Sequence, residues 1–351
     1  MKHRTWIALL LTMALMVGMA GCANTSSGGE QGGASQPAQS EGGGTSTNPK
    51  DVKIGILIPG SPTDGGFCQQ AAEAGKQLEE TYGYTVSVVE ATTAETIRQE
   101  GENMAAEGYK IVFGHGGQCA APLAEISPDY PDTWFVTTGG DVVTDNQFAA
   151  CLCIEEATYV AGVVAAMISK TGVIGYSLGG DLPAYSKTTN AFELGAKSVN
   201  PDIEVLGAIL SSPVASEGYE TTMNQIQSGA DVIYSNTNEG QAGAIKAVNE
   251  SEGVYIVGHM GDFTSQSPDH LVLNALGNWP QGFFAVTEAI MNDTVGTPEI
   301  MYLTFENGAV DILWNDQVKA TLPEEVIAAA EQTMADIQSG KIDVPNEYEL
   351  G

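Results

Sequence analysis

Two glycine-rich turns are the first residues in this chain that could do chemistry, Gly114-His-Gly-Gly117 and Leu178-Gly-Gly180. Each follows a short apolar run, and backbone N–H groups in such turns can cradle a phosphate. Neither completes a dinucleotide or P-loop pattern, so both read as tight turns at strand ends. After Cys22, four cysteines (Cys68, Cys119, Cys151, Cys153) and four histidines in the whole chain are the other candidates. They contain no CxxC pair and no HExxH or EF-hand spacing, which speaks against a metal site. Their scatter reads as free thiols rather than a disulfide framework. No nucleophile, metal or cofactor set emerges. What the loops share is position: each opens at the carboxyl end of a strand.

The strands come from short apolar runs. Val52–Ile58 stops at Pro59-Gly60, and further strands are expected over Tyr84–Val89, Lys110–Phe113 and Trp134–Val136. Helical spacing over Phe67–Thr81 and Glu95–Glu107 alternates with them. The pattern then restarts, with helices at Tyr159–Ser169, Lys187–Ser198, Gly218–Ser228 and Gln241–Glu250. Between these lie strands at Gly172–Tyr176, Glu204–Leu210, Asp231–Tyr234 and Tyr255–Val257. Strand–helix alternation builds parallel sheets covered on both faces. The chain is therefore expected to be α/β, with two Rossmann-like lobes joined by a hinge. The cleft between such lobes, lined by strand ends and their loops, is a natural ligand site.

The N-terminus speaks to location. Lys2, His3 and Arg4 precede the apolar run Trp6–Ala20, and Gly21-Cys22 follows. This is the build of a secretory signal over residues 1–21. A cysteine directly after small residues resembles the lipobox of bacterial lipoproteins, in which Cys22 is diacylated and becomes the mature N-terminus. Residues 22–50 are nearly all Gly, Ser, Thr, Gln, Ala and Pro, too polar to pack. As a random coil this tether spans roughly 30 Å. The folded part is expected at 51–351, with lobe 1 over about 51–155 plus 277–351 and lobe 2 over about 156–276. Against 13 Lys+Arg stand 44 Asp+Glu, a formal charge of −31. Such a field repels phosphate backbones and argues against nucleic acid or polyanionic ligands.

Asp64-Gly-Gly-Phe67-Cys-Gln69, Phe113-Gly-His-Gly116, Lys170-Thr-Gly172, Asn190-Ala-Phe192, Asn200-Pro201, Gly229-Ala-Asp-Val232, Gly258 with Asp262, and Asn278-Trp-Pro280 occur in this order. In that order they resemble the basic membrane protein family, the substrate-binding lipoproteins of ABC importers. The resemblance runs from about Lys53 to the end and implies a type I periplasmic-binding-protein fold. It also implies three crossovers between lobes, with the C-terminal segment returning to the first lobe. Characterised members bind nucleosides, chiefly purine nucleosides. A nucleoside offers a flat base and a vicinal diol, which call for aromatic faces and carboxylate or amide acceptors.

On that resemblance Phe67 stacks on the base, Asp64 hydrogen-bonds the ligand and Asp262 grips the ribose hydroxyls. Gln69 stands in for an amide that the family places at Cys68. Trp279 is either the second face of an aromatic sandwich or a hinge-packing residue. His115 is a ligand contact or a turn residue, and Asn238 and Asn278 are further polar candidates. Cys68, Met260 and Asn278 depart from the nucleoside-binding pattern. The expected protein is a monomeric, lipid-anchored binder of a small neutral solute, most simply a purine nucleoside, on the extracytoplasmic face of the membrane. It works with an ABC permease and its cytoplasmic ATPase, performs no chemistry, and needs no cofactor or metal. The alternative is a sugar-like or other heterocycle-binding lipoprotein that feeds a sensor kinase.

Overall fold

Strand β1 (Lys53–Ile58) is apolar and buried at every position after Lys53, as a central strand of a parallel sheet must be. The computed structural model describes residues 49–63, 67–181 and 183–345, with only the backbone of Pro183 and Ala184. Cys22, the signal and tether up to residue 48, and Asp64 lie outside the described residues. Helix α1 (Phe67–Tyr82) follows, then β2 (Thr85–Glu90), α2 (Ala94–Ala106), β3 (Ile111–Gly114), α3 (Ala120–Ile126), β4 (Trp134–Thr138) and β5 (Gln147–Leu152). Helix α2 starts at a capping box in which Thr93 and Thr96 bond each other's backbone N–H groups.

The second half repeats the plan. It runs α4 (Ile154–Ile168), β6 (Val173–Leu178), α5 (Pro183–Val199), β7 (Glu204–Ile209), α6 (Ala215–Gln227), β8 (Val232–Asn236), α7 (Gly240–Asn249), β9 (Tyr255–Met260) and β10 (Leu271–Gly277). The chain ends with α8 (Trp279–Met291), β11 (Met301–Leu303), β12 (Val310–Trp314), α9 (Asp316–Lys319) and α10 (Glu324–Gln338). The sheet orders are β11-β5-β4-β3-β1-β2 and β12-β10-β9-β8-β6-β7. They match position for position. Both edge strands, β2 and β7, even share the same alternation of exposed and half-buried residues. All pairings are parallel except β10 with β12. The expected two α/β halves are therefore present.

The chain passes between the sheets after β5, after β10 and after β11, which makes three crossovers. The last segment differs from expectation. Helix α8 packs on α1 and β11 joins the first sheet, but β12 pairs with β10 in the second sheet and α10 packs on α4. The C-terminal stretch thus belongs to both halves. The backbone of β12 pairs along the open edge of β10 while its Val310 and Ile312 side chains enter the core, which explains the choice. Cys68, Cys119, Cys151 and Cys153 are free thiols. Burial pushes the Cys119 thiol up to about 12 and that of Cys153 higher still. Among the described residues no helix is long and apolar enough to cross a membrane.

Candidate binding site

The carboxyl ends of β4, β5, β8 and β9 meet the N-terminal turns of α5 and α8 around a cleft of about 430 Å³. That size lies within the range of small-molecule sites. Thr138, Gly139, Cys151, Leu152 and Trp279 line it from one side. Tyr185, Lys187, Asn236, Asn238, Gln241, His259, Met260 and Phe263 line it from the other, with Ile154 at the crossover. Asn238 and Met260 hold φ of +50° and +67°, the left-handed region that non-glycine residues rarely adopt. Met260 ends β9 and Asn238 lies just past β8, both at the cleft, where such strain typically gathers.

Lys187 is charged, and its charge is matched. Its Nζ lies 2.8 Å from Glu155 Oε2 and donates to the Leu152 carbonyl at 3.3 Å. Glu155 is fully buried in the first turn of α4, and its Oε1 has no hydrogen-bond partner among the described residues. Next to it, Glu156 Oε2 accepts from the Phe305 N–H at 2.8 Å, tying the first crossover to the third. Burial pushes the Glu156 carboxyl up to about 7 despite that bond, with Glu155 and Glu306 adding repulsion. His259 meets the Tyr234 hydroxyl through Nδ1 at 2.9 Å. Desolvation lowers its pKa to about 3, so the imidazole is neutral at neutral pH.

The residues singled out from sequence divide. Trp279 and Asn238 line the cleft, and Asn238 Nδ2 donates to the Tyr185 hydroxyl at 2.7 Å. Phe67 opens α1 beside Trp279 and is 38% exposed. Its ring stacks on His115 at 3.6 Å and stands perpendicular to Trp279, at 82° and 6.1 Å. The two aromatic rings therefore do not form parallel walls. His115 is fully buried, and both ring nitrogens are committed. Nε2 lies 2.9 Å from the Phe67 carbonyl, which can only accept, so Nε2 carries the proton and Nδ1 accepts from Thr138 at 2.8 Å. It is a strut joining α1, β3 and β4.

Asp262 is exposed, outside the cleft lining, and its Oδ1 accepts from the Thr264 N–H at 2.9 Å. Thr264, through hydroxyl and backbone, holds this carboxyl below the usual carboxylate range, with Asn274 contributing. Asn278 caps α8 by accepting from Gln281 N–H at 3.2 Å, and Gln69 bonds Glu73 along α1. Gly175-Tyr-Ser-Leu-Gly179 spells a GxSxG pattern, but Ser177 is buried inside β6 rather than on a strand-to-helix turn. Its Oγ meets Ser235 Oγ at 3.3 Å, so it makes no nucleophile elbow. No group of three metal-ligating side chains occurs among the described residues.

Residues 51–347 match the family of ABC transporter substrate-binding proteins described as PnrA-like, Bmp. The chain belongs to the Bmp family. Bmp proteins are extracytoplasmic components of transporters rather than enzymes; they take a small molecule and work with a permease and its ATPase. A purine-binding protein of Brucella abortus is 27% identical over 309 residues, spanning 86% of this chain and 85% of its own. The ABC transporter nucleoside-binding protein BmpA of Lactococcus lactis is 24% identical, spanning 99% and 100%. In fold, this Bmp chain is similar to a transcriptional activator of the comK gene from Bacillus halodurans. That structure has a TM-score of 0.72 and 20% identity, and the match covers 82% of this chain and 98% of the other. An ABC solute-binding protein from Conexibacter woesei gives 0.67 at 21% identity, covering 85% and 100%.

Sequence reasoning missed Tyr185, Lys187, His259 and Phe263 as lining residues of this Bmp cleft, and noted Met260 only as a departure from the nucleoside-binding pattern. Their signal was positional. Each sits within a few residues of a strand end or near the start of a helix after one, and none falls in a motif that singles it out.

Proposed function

We propose that this protein captures a purine nucleoside or base between its lobes and delivers it to an ABC permease, as a monomer anchored to the membrane through Cys22. The observation that carries the ligand reading is the charge state of the cleft. Among its described lining residues Lys187 alone is charged at neutral pH, and Glu155 neutralises it. A phosphate or carboxylate ligand would lack an unpaired cation, whereas a neutral, flat, polar molecule finds amides, hydroxyls and apolar surface. The names of the Brucella and Lactococcus relatives agree with a purine.

Thermal unfolding in the presence of purine nucleosides, purine bases, pyrimidine nucleosides and hexoses tests the reading. Ligand at 100 times its dissociation constant adds about 2.7 kcal/mol to stability, a shift of several degrees. Purines should give the largest shift. If a hexose stabilises the protein and no purine does, the purine reading is wrong and only solute capture survives.

The anchor rests on Gly21-Cys22 after the apolar run. Cys22→Ser should move the protein from the membrane fraction to the soluble extracytoplasmic fraction. A variant that still sediments with membranes rules out the lipid attachment.

A further inference from the structure

Trp279 carries a donor that no described residue satisfies. Its Nε1 is buried, out of reach of bulk water, and has no hydrogen-bond partner among the described residues. Buried N–H groups are rarely left so in native proteins unless a ligand or bound water completes them. The side chain is held in place rather than adrift. Its backbone N–H donates to Gln70 Oε1 at 3.3 Å, and it opens α8 behind the Asn278 cap. Its ring is perpendicular to both Phe67 (82°) and His115 (87°). The cavity it lines is the cleft.

The perpendicular rings argue against a base held between Phe67 and Trp279, since a flat ligand parallel to one is edge-on to the other. A ligand that meets the edge of the indole rather than its face can reach the N–H. No carboxylate is among the described lining residues, and Lys187 Nζ is ion-paired with Glu155 and donates to the Leu152 carbonyl. The indole N–H is thus a donor still open to an acceptor on a ligand's edge.

We propose that Trp279 is a specificity-determining residue that donates its indole N–H to an in-plane acceptor of the ligand, a purine ring nitrogen or exocyclic oxygen, and does not serve as a stacking face. This rests on the purine reading above. The experiment is calorimetric titration of the wild-type protein and Trp279→Phe with adenosine, inosine, the free bases, and their 1-, 3- and 7-deaza analogues. Phenylalanine keeps a ring and loses the donor.

Trp279→Phe should bind the best purine about tenfold more weakly, the scale of one lost hydrogen bond in a dry site. One deaza analogue, or removal of the exocyclic oxygen, should cost wild type a similar factor and cost the variant nothing further. Equal affinity of wild type and variant overturns the assignment. So does a loss with that analogue that persists in the variant, or a wild type that binds every analogue within twofold of its parent, a result that needs no variant to fold. If wild type binds no purine compound at all, the purine reading falls first and this assignment falls with it.

Discussion

Replacing Lys187 with methionine is expected to destabilise the folded protein by about 3 kcal/mol, the lower end of the range for breaking a buried ion pair. The reason is what the change leaves behind. Glu155 has only 1% of its side chain exposed, and Lys187 Nζ at 2.8 Å is its counter-charge. Without that ammonium an ionised carboxylate sits in the hinge with neither solvent nor donor, since Oε1 is already unpartnered. Lys187 keeps 18% of its side chain exposed, so some water reaches the pair and the upper end of the range is not expected. Removing both charges is a different experiment. Glu155→Leu with Lys187→Met should recover most of the loss, because a buried pair exchanged for apolar groups is often near neutral. Urea unfolding of wild type and the two variants at pH 7 measures both effects. A single Lys187→Met within about 1 kcal/mol of wild type would show that the pair does not stabilise the hinge.

The strands legible in sequence were those buried on both faces. Ile54–Ile58, Ile111–Gly114 and Val232–Asn236 are apolar runs because parallel sheets cover them twice, and the punctuation after them marks the loops. Strands β5 and β10 escaped because no helix precedes either one, so the strand–helix alternation lapses there. The start of α4 was placed five residues late, at Tyr159 rather than Ile154. Cys153 occupies the cap position and makes no side-chain cap bond, so the usual Ser, Thr, Asp or Asn signal is missing. That late start hid Glu155 and Glu156, the two acids that organise the hinge.

The candidate site was legible as a region more than as a set of contacts. Glycines and polar residues at strand ends pointed to the cleft, and Trp279 and Asn238 do line it. Orientation was not readable, because packing and long-range bonds decide it. His115 looked like an available imidazole until the Phe67 carbonyl and Thr138 took its nitrogens, from 48 and 23 residues away. Asp262 is occupied by its own loop through Thr264. Phe67 and Trp279 come together in space as expected, but the angle between them follows from how α1 and α8 pack, which no local pattern encodes.

That packing sensitivity sets the second large effect, at Gly162 and Gly195. Helices α4 and α5 touch backbone to backbone: a Cβ added at Gly162 would lie 1.9 Å from the Phe192 carbonyl oxygen, and one at Gly195 would lie 2.0 Å from that of Tyr159. Ordinary Cβ contacts begin near 3.4 Å, so the helices would have to separate by about 1.5 Å. Intrinsic helix preference works the other way, since alanine is favoured over glycine by about 1 kcal/mol in a helix interior. Overpacking costs about 1–3 kcal/mol and more where backbone must move. The obstacle here is backbone, not a flexible side chain, so the clash should win. Gly162→Ala and Gly195→Ala are each expected to lose about 2 kcal/mol net. The double variant should lose less than the sum, because one separation of the helices relieves both clashes. Helix α5 also delivers Tyr185 and Lys187 to the cleft, so ligand affinity should fall in the same variants. Denaturant midpoints and titration calorimetry on the singles and the double give the answer. A single variant as stable as wild type would mean that the two helices can part without disturbing the sheet beneath them.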